Sequence, residues 1–172
     1  MQIVGRPGPD EAAPYYFTYI DRVHGGDVVA VLGEQLEQAP AFWGAISEER
    51  SHHRYEPGKW TIREVLGHVN DTERLFLFRT FWFARGFEEP LPSFDQEIAA
   101  RGANAGERTL ASLLEEFRAI RQSALALVRA IPPEAWTRRG TASGNPFSAR
   151  AAAFAMAGHA AHHVALVQER YL

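Results

Sequence analysis

The chain contains no cysteine. That absence removes disulfides, cysteine zinc ligands and any protein thiolate from its chemistry, and it leaves the redox compartment open. A surplus of charge is missing as well. With 18 Lys+Arg against 21 Asp+Glu and a net charge of -3, the surface as a whole has no pull toward a phosphate backbone or an anionic membrane, so nucleic acid is not an expected partner. No segment approaches the ~20 apolar residues that span a bilayer. The opening MQIVGRPGPDEAAPYY holds no apolar stretch of the signal-peptide kind. The expectation is a cytoplasmic protein with no membrane partner. Repeats and low-complexity tracts are also absent. What is present is 172 residues, 46% of them hydrophobic, enough for one domain with a core of its own.

Residues 1–26 gather Pro7, Pro9 and Pro14 with Tyr15, Tyr16, Phe17 and Tyr19. They read as an irregular arm laid on the surface of a domain spanning 27–172. Asp27 is placed to cap a first helix, in which Val28, Val31, Leu32, Leu36, Phe42 and Ile46 recur at three- and four-residue steps and Pro40 predicts a bend or break. Trp60, Thr61 and Glu64 form a hydrophobic staple and capping box for a second helix over 62–85. A long connection follows, with a short helical piece around Asp95 to Ala100. The third helix spans 109–130 and stops at Pro132-Pro133. Asn145-Pro146 has the form of an N-cap followed by proline at the first helical position, which predicts that the fourth helix starts there and runs almost to Leu172. Four amphipathic helices without strand-like alternation predict an all-α four-helix bundle with a long connection between helices two and three.

Histidine carries the chemistry. His159 and His163 lie four apart on the last helix and therefore share a face, and His68 on the second helix can meet them across the core. Three nitrogen ligands with an open fourth position are the mark of a reactive metal site, whereas structural sites are closed by four protein ligands. A lone core histidine is more often only hydrogen-bonded. Three neutral imidazoles converging in a core would each need a partner, which favours a shared ion. His162 is also near His159 on the helix, and is read as supporting the ligands, facing the pocket or facing a dimer partner. His24, His52 and His53 fall in polar turns and are read as solvated. The alanines and glycine of AAAFAMAGHAAHH would leave room beside the imidazoles for an ion and a small ligand. Ferritin-like di-iron sites need Glu-x-x-His pairs and zincins need H-E-x-x-H; neither is present.

WTIREVLGHVNDTE, the SFDQE segment and GHAAHHVALVQERYL, in that order, resemble the DinB-like superfamily of damage-inducible bacterial proteins, the group that includes YfiT-type metal-dependent hydrolases. The resemblance spans roughly residues 27 to 172. It implies a four-helix bundle, often a homodimer, in which His68, His159 and His163 bind a divalent ion. Nickel or zinc is the implied metal, with iron or manganese as alternatives. It also implies hydrolysis, or transfer and isomerisation chemistry on a low-molecular-weight thiol cosubstrate such as bacillithiol or mycothiol.

The expected function is therefore a metal-dependent enzyme that activates water or a low-molecular-weight thiol for a small-molecule substrate. Asp71, one turn after His68, is a candidate to orient an imidazole or act as a base, against its reading as an exposed helix carboxylate. Arg63, Arg74 and Arg150 are candidates to hold an anionic thiol, and Asp95 and Gln96 to cover the site. The rival is a non-catalytic metal- or ligand-binding stress protein, its ion closed by Glu64, Asp71 or His162.

Overall fold

The computed structural model describes residues 3–172. A 3-10 turn at Pro14–Tyr16 leads into the one-turn helix α1 (Phe17–Ile20), and the bundle begins with α2 (Val28–Trp43). The Asp27 side chain accepts from the Val29 N–H, as an N-cap should. Helix α2 continues through Pro40 for another turn and ends by burying Trp43. The proline therefore does not break it, because near a C-terminus the missing amide removes a single hydrogen bond. Helix α3 (Ile62–Arg85) opens on the Thr61–Glu64 capping box and closes on Gly86, whose φ of 84° lets the Phe87 N–H reach back to the Trp82 carbonyl at 3.2 Å. The connection carries α4 (Gln96–Ala103), capped by Asp95, and α5 (Leu110–Arg129) follows, capped by Thr109.

The next segment departs from the sequence expectation. Asn145-Pro146 does not start a helix. It belongs to β2 (Asn145–Ser148), which pairs antiparallel with β1 (Arg139–Ala142). Ser143 (φ 54°) and Gly144 (φ 74°) supply the two left-handed residues that a two-residue hairpin needs. Pro146, lacking an N–H, is tolerated on the edge of this ribbon. Ser148 is the true cap of α6 (Ala149–Arg170), accepting from the Ala151 N–H at 3.0 Å. Leu91 bridges to β1 on either side of Ala142, donating to the Thr141 carbonyl at 2.8 Å and accepting from the Ser143 N–H at 3.1 Å. The long connection is thereby fastened to the hairpin.

Helices α2, α3, α5 and α6 form the bundle, with α3 packed on both α5 and α6. One apolar cluster is built around Leu32, Phe76, Phe83, Phe147 and the alanines of α6. A second lies around Trp43, Ile62, Leu66, Leu113 and Val167. Beside them the fully buried Arg121 pairs with Glu73, which is equally buried, and donates from Nη1 to the Leu32 carbonyl at 3.2 Å and to Gln35 at 2.7 Å. The N-terminal arm is more than a surface covering, contrary to expectation. Ile20 is fully buried in the first cluster. Buried Glu11 accepts from Arg150 and, at 2.8 Å, from the Ser148 hydroxyl. The Tyr19 backbone sits so close to Gly158 that a Cβ there would stand 2.0 Å from the Tyr19 carbonyl oxygen. The described residues include no helix long and apolar enough to cross a membrane.

Candidate metal centre

His68 lies on α3 between Val65, Leu66 and Val69 of one cluster and Phe76 of the other, and His159 and His163 lie at the same level of α6. The fold thus brings the three histidines together where the two clusters meet. Nε2 of His159 stands 3.0 Å from Nε2 of His68 and 3.2 Å from Nε2 of His163, and one ligand atom from each residue lies within 4.8 Å of the other two. Nitrogens bound to one tetrahedral ion at ~2.0–2.1 Å stand about 3.3 Å apart. The two separations to His159 are close to that spacing. All three residues are buried, at 4%, 4% and 7% exposure.

Burial sets their charge state. Loss of water, then the nearby His162, holds His68 down to about 4, and burial with His68 and His162 holds His163 down to about 2. His159, the most enclosed, is pushed well below the ordinary histidine value by burial and then by the other histidines. At neutral pH the three rings are therefore uncharged, the form that binds metal. Hydrogen bonding alone does not explain the cluster. A neutral imidazole nitrogen offers one lone pair or one N–H, so Nε2 of His159 can satisfy only one of its two neighbours. An ion would accept all three lone pairs. The Nδ1 atoms of His68 and His163 are buried without hydrogen-bond partners, so no second group fixes these rings. Packing does so instead: the Trp60 ring lies 4.8 Å from His68 and the His162 ring 4.9 Å from His163, while the Tyr19 ring lies 5.2 Å from His159.

A pocket of about 290 Å³ opens beside His68 and His159. Tyr15, Tyr16 and Tyr19 of the arm form one wall, Thr72, Leu75, Phe76 and Arg79 of α3 another, and Phe94, Gln96 and Ser143 complete it. His159 is the sole α6 residue in the lining. The small residues of α6 do not make the room of this pocket, contrary to expectation; Ala151–Ala157 are buried by close packing and Gly158 admits the arm. Gln96 does border the site, whereas Asp95 is engaged in capping α4.

The other candidates are elsewhere. Asp71 makes no hydrogen bond to His68; it faces Arg74 at 3.5 Å, and burial raises its pKa. Arg63 donates to Ser51 and Glu48, Arg74 pairs with Glu116, and Arg150 pairs with Glu11, so none of these three arginines lines the pocket. Glu64 is held in the capping box. His162 is half-buried beside Tyr19 and stays outside the cluster, while His24 and His52 are exposed. Residues that sequence reasoning missed are Tyr15, Tyr16, Tyr19, Arg79 and Ser143. Arg79 carried a readable signal, since it lies eleven positions after His68 and therefore on the same helical face; the arm tyrosines carried none.

The architecture and its interior cluster define a class: a four-helix bundle with three convergent histidines between helices. A family model of the DinB superfamily matches residues 32–167, and the chain belongs to that superfamily. Among solved structures the fold is similar to YfiT from Bacillus subtilis, described as a probable metal-dependent hydrolase with an unusual four-helix bundle topology. The two are 18% identical, with a TM-score of 0.74 over 96% of this chain and 92% of that one. No curated protein matches the sequence.

Proposed function

We propose that the chain is a metal-dependent enzyme of the hydrolase or thiol-transferase kind, with His68, His159 and His163 holding one divalent ion, nickel or zinc. The observation that carries this reading is the convergence of three uncharged, buried ring nitrogens, with His68 and His159 lining an open pocket. Family membership and the likeness to YfiT support it. A divalent ion with a free position supplies Lewis acidity, lowering the pKa of water from about 15.7 to roughly 7 or deprotonating a thiol outright.

The chain's own residues supply the rest. The three imidazoles are neutral at neutral pH, each keeping one N–H and offering one lone pair, so no proton competes with the ion for that lone pair. Trp60, Tyr19 and Phe76 shield them from bulk water. Thr72 also lines the pocket, with a buried Oγ1 that has no hydrogen-bond partner. Leu75, Phe76 and the arm tyrosines would enclose the organic part. A purely structural ion would need a fourth protein ligand. Glu64 is committed to a helix cap, and Asp71 and His162 lie outside the cluster, which favours an open position.

The test is turnover by the metal-loaded chain of ester and amide substrates, and of monochlorobimane with bacillithiol or mycothiol. Activity that the metal-free chain and the His163→Ala variant lack is the expected result. Equal rates with and without metal would refute the proposal.

A further inference from the structure

Arg79 shares the pocket wall with the histidines, and its charge is unanswered. The residue is 1% exposed, yet among the described residues no carboxylate stands within ion-pair distance of its guanidinium. The contrast with Arg121, equally buried and paired with Glu73, is direct. Of the five N–H groups of an arginine, Arg79 directs one from Nη1 to the Tyr16 hydroxyl at 3.2 Å and one from Nη2 to the Ser143 hydroxyl at 3.0 Å, while Nε is buried with no partner. Neutral hydroxyls orient a guanidinium without neutralising it. The Phe76 and Phe147 rings, 5.8 and 5.9 Å away, give it cation–π contacts but no countercharge. Buried charges are held by partners, and this one lacks an anion.

We propose that Arg79 anchors an anionic group, a carboxylate or phosphate, of the substrate or cosubstrate whose reacting end lies at the histidines. Tyr16 and Ser143 hold the guanidinium in place for it. The eleven-residue step from His68, at ~1.5 Å per residue, sets the two Cα atoms on the order of 16 Å apart along α3, and the Phe76 ring, 5.8 Å from the guanidinium and 6.3 Å from the His159 ring, lies between the arginine and the histidines. The pocket touches both. The ligand class is therefore an elongated molecule with its acid at one end and its reactive group at the other. Its orientation rests on the proposed function; the anion site itself does not.

Calorimetric titration of the full chain with octanoate, octyl phosphate and octanol tests the anchor. One of the two anions should bind at least about tenfold tighter than octanol, the size expected when a charge-assisted bond replaces none, and the tighter of the two names the acid. Arg79→Met should abolish the preference and Arg79→Lys should keep part of it. Ser143→Asp, which places a carboxylate beside the guanidinium at a position whose left-handed backbone suits Asp, should abolish the preference while leaving the fold at least as stable. His163→Ala should lose metal and keep the preference, which separates this site from the histidine centre. No preference in the wild-type chain, a preference that survives Arg79→Met or Ser143→Asp, or one lost in His163→Ala would overturn the proposal.

Discussion

Replacing Gly158 with alanine should destabilise the protein even though alanine is the better helix former. In an unobstructed helix the change would stabilise by about 1 kcal/mol. Here the new Cβ would stand 2.0 Å from the Tyr19 carbonyl oxygen, 2.4 Å from its carbon and 3.2 Å from its Cα. These are backbone atoms, so no side-chain rotation relieves the clash. If the arm stays, overpacking of about 1–3 kcal/mol opposes the propensity gain. If it lifts away, exposing the fully buried Ile20 alone costs about 1.5–3 kcal/mol. Either route leaves a net loss of up to about 2 kcal/mol, a fall in Tm of up to roughly 8 °C for a chain of this size. Thermal melts paired with amide exchange at Thr18–Arg22 would read both the loss and the loosened arm. Gly33→Ala is the control, since nothing lies within 4 Å of a Cβ there, and it should raise stability by up to about 1 kcal/mol. A Gly158→Ala protein that melts higher than wild type with unchanged exchange at the arm would refute the reasoning.

Three further outcomes are expected. Glu11 sits at about 2 because hydrogen bonds from Arg150, the Gly8 N–H and Ser148, with the Arg150 charge, outweigh the upward pull of burial. Its folded pKa is depressed, so its contribution, on the order of 3 kcal/mol at most, is present above about pH 4.5 and is lost as pH falls toward 2; a Glu11→Gln variant should show a flatter stability profile across that window in pH-dependent denaturation. Glu73→Gln leaves the Arg121 charge buried and unpaired and should cost about 3–5 kcal/mol, whereas replacing both residues with apolar ones should recover most of it in a double-mutant denaturation cycle. Tyr19→Ala should open the histidine cluster to solvent and speed loss of metal to a chelator, with little change in metal stoichiometry.

What could be read from the sequence was what neighbours in the chain decide. Asp27 and Thr61 cap their helices as read, because a cap needs only a side chain and the next few amides. The histidine cluster was legible for a similar reason: one helical turn joins His159 to His163, and the motif around His68 resembled that of a known family. Ser143-Gly144 was a turn signal flanked by strands of only four residues, too short for alternation to show, and so Asn145-Pro146 was read as a cap. The arm escaped because its fastenings are distant in sequence, Glu11 to Arg150 and Tyr19 to Gly158. The alanines of α6 were read as empty space, whereas in three dimensions they are where α1, α3 and the hairpin come close. The importance of Arg79 lies in the lack of a neighbouring carboxylate, which no local pattern encodes.

The most direct test of the histidine centre is elemental mass spectrometry on the full chain purified without a histidine tag, for wild type and for His68→Ala, His159→Ala, His163→Ala, His52→Ala and His53→Ala. The account predicts about one divalent ion per chain in wild type and in the last two variants, and the loss of most of it in the first three. Equal metal in all six proteins, or none in wild type even after incubation with zinc and nickel, would contradict it.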